Sequence, residues 1–334
     1  MHTRVEPAAT GILLAAEYLR AGEPVAFPTE TVYGLGADAR RDNAVQKIYA
    51  AKGRPSGNPL IVHIADPADA RPAAGYTTHW SGLAEKLAKR FWPGPLTLIV
   101  PRGPRLSELV SGGRHTVALR CPRHPVADAI LRAFNGPLAA PSANRSGFTS
   151  PTTAAHVRAE LDGRIPLIVD GGACQIGLES TVVDLSAAVP TVLRPGAVTV
   201  EMLRDAIGDV QLGMTTVRTE DSAASPGQHA RHYAPHTPAY RFSRAQWHAA
   251  QGFAARSSPV ALLSFADDVH FSAPHETFRL SAQETEYARS LYAAMRDADL
   301  KNLRAILILL PEMHTGLWIA IADRLHRATE PLPL

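Results

Sequence analysis

Pro24-Val25-Ala26-Phe27-Pro28-Thr29-Glu30-Thr31-Val32-Tyr33-Gly34-Leu35-Gly36 decides how the first part of this chain folds. Val25-Ala26-Phe27 is a short apolar run between prolines and reads as a buried strand. The polar triplet Thr29-Glu30-Thr31 follows it directly. Gly34 and Gly36 permit a close turn and the close approach of a ligand. Polar side chains just past a buried strand are where open α/β sheets bind their ligands.

Outward from this stretch, helical and strand-like segments alternate. Thr10 is placed to N-cap a helix running to about Arg20, with Gly22 as its stop. Asp42 is placed to cap a helix with Val45, Ile48 and Tyr49 on one face, which Pro55 must terminate. Strands are expected over 60–64, 97–100, 116–120, 167–170, 181–185 and 192–194, and helices over 83–91 and 126–134. Pro137-Leu138-Ala139-Ala140 leads into a loop. Mixing of this kind predicts an α/β sheet domain. From about Gly208 to Pro238 the chain is rich in Ser, Thr, Gly and Pro and reads as a linker. A second alternation follows: strands over 259–265 and 305–310, a helix over 284–296 with Tyr287, Leu291 and Met295 aligned, and a helix over 316–327. It predicts a small doubly wound domain. The expected division is 1–208, a linker over 209–237, and 238–334.

Composition narrows the function. The chain has 334 residues, 46% of them apolar, enough for two cores. No stretch approaches the roughly 20 unbroken apolar residues of a membrane span. Met1-His2-Thr3-Arg4-Val5-Glu6-Pro7 holds no apolar signal core, and a cytoplasmic location is expected. Two cysteines, Cys121 and Cys174, make no disulfide framework and no four-ligand zinc site. A net charge of +3 does not announce a nucleic-acid binder. Between Arg102 and Arg145, however, the only acids are Glu108 and Asp128, a stretch suited to anionic small molecules.

Several motifs are missing. There is no Walker-type phosphate loop, no Gly-x-Gly-x-x-Gly after a strand and no Gly-x-Ser-x-Gly elbow. His229, His232 and His236 lie close together, but no cysteine or carboxylate cluster completes a metal site, and a polar linker accounts for them. Polar residues at element ends remain. Lys52-Gly53-Arg54-Pro55 ends a helix, where Lys52 suits either the helix dipole or a polyphosphate. Asn58 and His63 follow; a lone histidine on a strand is most often a core residue. Arg120 ends an apolar strand, where a carboxylate ligand and a structural acid are equally good partners. Pro141-Ser142-Ala143-Asn144 reads as a turn or as a phosphate-lining loop. Glu179-Ser180-Thr181 and Arg194-Pro195-Gly196 repeat the pattern. The residues by themselves reach an α/β enzyme for an anionic ligand.

Taken together and in order, these segments resemble the YrdC-like domain of threonylcarbamoyl-AMP synthases. The matching stretches are Phe27 to Gly36, Lys52-Gly53-Arg54-Pro55, Asn58-Pro59-Leu60, Phe91-Trp92-Pro93-Gly94-Pro95-Leu96-Thr97, Pro141 to Gly147, Glu179-Ser180-Thr181-Val182 and Arg194-Pro195-Gly196. The likeness runs from about residue 10 to 207. Ser225-Pro226-Gly227 and Arg231-His232-Tyr233-Ala234-Pro235 resemble the linker of the longer, two-domain members, although Gln228-His229-Ala230 departs from it. Gly316-Leu317 and Arg324-Leu325 carry a looser likeness to their C-terminal domain.

The resemblance implies a twisted mixed sheet with helices around a central cationic cavity, plus a small Rossmann-like C-terminal domain. It implies a nucleotidyltransferase that joins L-threonine, bicarbonate and ATP, releases pyrophosphate, and feeds threonylcarbamoyladenosine modification of tRNA. On it, Lys52, Arg54, Ser142 and Asn144 are expected to be catalytic. Arg54, Asn58, Thr116, Ser142, Ser150, Arg194 and Tyr233 would bind ATP, with Tyr233 reaching over from the linker. Thr31, His63, Arg120, Ala140 and Ser180 would line the threonine side. Mg2+ is expected on the ATP phosphates with no protein-held metal site. A downstream tRNA threonylcarbamoyl transferase is the implied partner, with tRNA contact possible and no membrane. Two rival readings are a non-catalytic RNA-binding module and carbamoyl-adenylate chemistry of the hydrogenase-maturation type. Modest charge counts against the first, and two cysteines cannot supply the zinc modules of the second.

Overall fold

The computed structural model describes residues 2–213 and 232–333. Ser225-Pro226-Gly227, Gln228-His229-Ala230 and Arg231 of the expected linker lie outside the described residues. The described chain forms two compact units, one of residues 2–146 and 150–213, the other of residues 147–149 and 232–333.

In the first unit eleven described strands join in one mixed sheet. Its spatial order is Arg4–Pro7, Leu167–Asp170, Val25–Phe27, Gly34–Asp38, Leu138–Ala139, Ile61–His63, Thr116–Arg120, Leu96–Pro101, Thr181–Asp184, Thr191–Arg194 and Gln211–Leu212. Parallel and antiparallel pairs alternate irregularly: Val25–Phe27 runs antiparallel to Gly34–Asp38, and Ile61–His63 parallel to Thr116–Arg120. The strands are nearly continuous apolar runs because both faces are covered. One large core gathers Leu35, Ile48, Val62, Leu98, Leu119 and Val183, and a second packs helices Ala8–Arg20 and Pro125–Phe134 on Val25, Phe27 and Leu167.

Helix boundaries follow backbone chemistry closely. The first helix begins at Ala8 with Pro7 as its N-cap, whose φ of −57° already suits a helix entry, so Thr10 sits inside the first turn and bonds back to the Pro7 carbonyl. The next spans Asp42–Lys52 with Arg41 at the cap; Asp42 is its first residue and accepts the Ser107 hydroxyl. It stops at Gly53, whose φ of +60° gives a left-handed C-cap, before Pro55 is reached. In the first unit two helices, Ala154–Leu161 and Val200–Ile207, escaped the periodicity reading, as did Trp247–Arg256 in the second. The first two are each eight residues long, too short for a clear repeat, and each is announced only by its threonine cap, Thr153 or Thr199.

The second unit is a five-stranded parallel sheet in the order Glu276–Arg279, Ala261–Ser264, Ile306–Leu309, Ala239–Phe242 and Glu330–Pro331. Helices Trp247–Arg256, Glu284–Asp299 and Trp318–Ala328 connect successive strands, which is doubly wound architecture. Tyr287, Leu291 and Met295 are fully buried, as their spacing predicts. Residues 147–149 belong to this unit, with Phe148 bridged to Ala234 and the Thr149 carbonyl accepting from Arg296. No helix of the described residues is long and apolar enough to cross a membrane.

Candidate active site

Strand alternation in the first unit sorts chemistry by face. Val62, Leu98, Leu119 and Val183 point into the large core. Their neighbours Ile61, Ile99, Ala118 and Val182 point the other way and form a small apolar floor with Leu193. On that same face, by register, stand His63, paired with Arg120, and Thr97, paired with Val182. Ser180 lies one residue before the Thr181–Asp184 strand and Thr116 at the start of the strand that Arg120 ends. Thr116 is about 13 Å from Arg120 by strand rise. It is only half-buried, whereas His63, Arg120 and Ser180 are buried.

Arg120 is held from three sides. Its Nε donates to the Gly94 carbonyl at 3.3 Å, its Nη1 to Thr31 Oγ1 at 3.0 Å, and its Nη2 lies 2.8 Å from Glu30 Oε1. The last approach is off the hydrogen-bonding axis, and the contact is an ion pair. Arg120 therefore has a structural acid as partner and keeps two N–H groups of its five uncommitted. Thr31 is fixed by the Thr29 hydroxyl at 2.8 Å. Burial, with the Arg120 guanidinium beside it, holds the His63 pKa well below the ordinary value, so the ring is neutral at pH 7. Its Nδ1 has no hydrogen-bond partner among the described residues. The Ala140 N–H donates to the Ile61 carbonyl at 2.8 Å, fixing the chain just before the 141–144 loop.

Lys52 leaves its own helix end. Its Nζ donates to the carbonyl oxygens of Ser142 and Asn144, both at 2.5 Å, so it is not spent on its helix's terminal carbonyls. Two of its three donors are used. Burial above all, then the nearby Arg54 charge, holds its pKa well below the lysine range, while Glu160 and Glu179 oppose the shift. Arg54 donates to the carbonyls of Asn58 and Pro59, and is itself buried. The 141–144 loop is tied to the Tyr33–Leu35 segment by Leu35 N–H to Pro141 O and Ala143 N–H to Tyr33 O. Asn144 anchors on the Arg145 carbonyl through Nδ2.

Arg194 is fixed on Ser180. Its Nε donates to the Ser180 carbonyl at 3.0 Å and its Nη2 to Ser180 Oγ at 3.1 Å, while Ser180 Oγ shares a proton with Thr97 Oγ1 at 2.7 Å. Ser150 Oγ bonds Glu179 Oε1. Thus His63, Arg120 and Ser180 share the sheet face, Thr31 is bonded to Arg120, and Glu179, next to Ser180, lies close enough to Lys52 to act on its pKa. Glu30, Thr97 and Glu179 were given no role in the sequence reading. The signal was there for Glu30: an acid at a buried strand's exit needs a cation, and Arg120 at another strand end is one. Thr97 is hidden by its apolar strand, and Glu179 by its loop.

Tyr233 belongs to the second unit. Its ring is 1% exposed, stacks 5.9 Å from Tyr292 and lies under the Arg324 guanidinium at 5.2 Å. Its φ of +65° is uncommon for a residue with a side chain. His232 packs edge-on against it, and His236 stacks on Phe148 at 4.1 Å. Among the described residues, no group of three or more histidine, cysteine or acidic side chains is placed to hold a metal ion.

The first unit is a mixed α/β domain with cations and hydroxyls gathered at its strand ends. Residues 17–196 match the Sua5_yciO_yrdC family, described as telomere recombination, and residues 198–329 match the threonylcarbamoyl-AMP synthase C-terminal domain family. The threonylcarbamoyl-AMP synthase of Bacillus subtilis is 44% identical over 95% of this chain and 92% of its own length. That of Pyrococcus abyssi is 40% identical over 95% and 94%. The crystal structure of P. abyssi Sua5 complexed with L-threonine superposes with a TM-score of 0.89 at 37% identity, covering 98% of this chain and 99% of that one. The chain belongs to the threonylcarbamoyl-AMP synthase family, and it is a transferase.

Proposed function

We propose that the first unit condenses L-threonine, bicarbonate and ATP in one cleft. Threonine and bicarbonate give a carbamate and water. A carbamate oxygen then attacks the α-phosphorus, the bond to pyrophosphate breaks, and threonylcarbamoyl-AMP remains. Such chemistry depends on positioning and charge neutralisation more than on a strong base. The observation that carries the reading is the buried cation set, Arg120 and the Ser180-bonded Arg194 at one sheet face and Lys52 on the 142–144 loop, each already oriented by protein acceptors.

In this reading Arg120 takes the threonine carboxylate with its two open N–H groups. Thr31, His63, Ser180 and the backbone at Ala140 surround the rest of the amino acid. The nucleotide enters with Mg2+ on its phosphates. Lys52 offers its third donor to them, and Arg54, Asn58, Ser142, Asn144, Ser150 and Arg194 line the phosphates and sugar, with Thr116 at the margin. Arg194, bonded twice to Ser180, links the two subsites, so that loading one orders the other. Tyr233 is assigned to covering the nucleotide. The product would pass to a tRNA threonylcarbamoyl transferase in the cytoplasm.

Neither rival is favoured. Hydrogenase-maturation chemistry does not account for residues 198–329, which match a threonylcarbamoyl-AMP synthase domain. A passive RNA-binding module does not require a neutral histidine and a buried lysine. Pyrophosphate release from ATP should depend on both threonine and bicarbonate, and mass spectrometry should find threonylcarbamoyl-AMP. Equal release without threonine would sink the assignment.

A further inference from the structure

Glu30 is 2% exposed, and neither of its carboxylate oxygens accepts a hydrogen bond among the described residues. Oε1 faces Arg120 Nη2 at 2.8 Å as an ion pair; Oε2 faces no donor. A carboxylate has about four lone-pair sites, and a buried one is normally satisfied by several N–H or O–H groups. Arg120, for its part, is tied by Gly94, Thr31 and Glu30 itself and keeps two N–H groups open. The pair is therefore a buried cation and anion side by side, each with unfilled hydrogen-bonding capacity.

An arginine alone suits any carboxylate. An arginine beside an unsatisfied carboxylate suits a molecule that carries both charged groups on one carbon, namely an α-amino acid. We propose that Glu30 is a specificity residue of the threonine subsite. Its open oxygen accepts from the substrate's amino group while Arg120 holds the carboxylate. This rests on the reading of Arg120 given above. It accounts for a buried acid that Arg120 alone leaves half satisfied, and it selects amino acids against hydroxy acids and dicarboxylates of similar size. A purely structural Glu30 would act only through the angle of the Arg120 guanidinium.

The two roles separate by calorimetric titration of the full chain with L-threonine and with 3-hydroxybutanoate, which is threonine without its amino group. The wild type should bind threonine at least about tenfold more tightly, the value of one charge-assisted hydrogen bond. In Glu30→Gln, threonine should fall to the level of 3-hydroxybutanoate, whose own affinity stays within about twofold. Equal affinities in the wild type would overturn the proposal without any variant, which guards against a variant that fails to fold. Equal weakening of both ligands in Glu30→Gln would overturn it too and leave Glu30 as a support for Arg120. No threonine binding by the wild type would instead remove the reading of the site itself.

Discussion

Lys52 Nζ donates to the carbonyl oxygen of Ser142, 90 residues away in sequence, at 2.5 Å. The contact turns a helix-end lysine into part of a loop that the sequence places elsewhere. It also means that the ammonium is oriented before any ligand arrives, because two of its three donors are fixed by Ser142 and Asn144.

Replacing it by Lys52→Met should therefore lower pyrophosphate release by about 10²-fold or more, the usual cost of one oriented donor on a developing charge. Two carbonyls lose a partner, so stability should fall by about 1–3 kcal/mol. Circular dichroism and a urea midpoint would show the fold intact. Full activity in a folded variant would contradict the assignment.

Arg120→Lys should separate charge from geometry. The ammonium still faces Glu30 but cannot also reach the Gly94 carbonyl and Thr31 Oγ1. KM for threonine should rise at least about tenfold with KM for ATP little changed. Arg120→Ala leaves Glu30 as an uncompensated buried charge and should cost about 3–5 kcal/mol in urea unfolding.

Gly196 stands where a side chain has no room. A Cβ there would lie 2.5 Å from the Thr181 amide nitrogen and 2.8 Å from the Glu179 carbonyl oxygen, both backbone atoms. Gly196→Ala should cost about 1–3 kcal/mol. Since the displaced atoms flank Ser180, threonine affinity should fall as well. A variant as stable and active as the parent would count against this packing.

Stability should also depend on pH through His63. Its folded pKa lies well below its unfolded value near 6.5, so the unfolded state binds a proton that the folded state refuses. The contribution is complete above about pH 6.5 and is lost as pH falls towards the folded pKa, at up to about 1.4 kcal/mol per pH unit. His124 is shifted in the same direction by burial. Comparison with His63→Gln isolates one histidine: urea midpoints of the two proteins should converge as pH falls from 7 to 5. Parallel curves would show that His63 is charged in the folded state.

Much of the first unit was legible from local pattern. The strands over 116–120 and 167–170 occur as expected, because an apolar run bounded by turn residues reports burial directly. The helix over 126–134 is extended only by Pro125 at its start. Eight-residue helices and the edge strand Arg4–Pro7 were not legible, since a short segment offers too few positions for a period. Cap positions at Thr10 and Asp42 were displaced by three residues and one, where Pro7 and Arg41 govern the backbone instead.

By itself the sequence determined the two α/β regions, most of their strands and, through its ordered motifs, the family. Those properties are local, or follow from spacing along the chain. Only the tertiary structure decided who meets whom. Leu138–Ala139 slips between Gly34–Asp38 and Ile61–His63, and that order brings Ser142 to Lys52. The Thr29–Thr31 exit reaches Arg120 across 89 residues, so a charge with two equally good partners on paper acquires Glu30. Periodicity says which face a side chain takes. It carries no information about which distant strand supplies its neighbour, because that depends on crossovers and on burying the whole sheet at once.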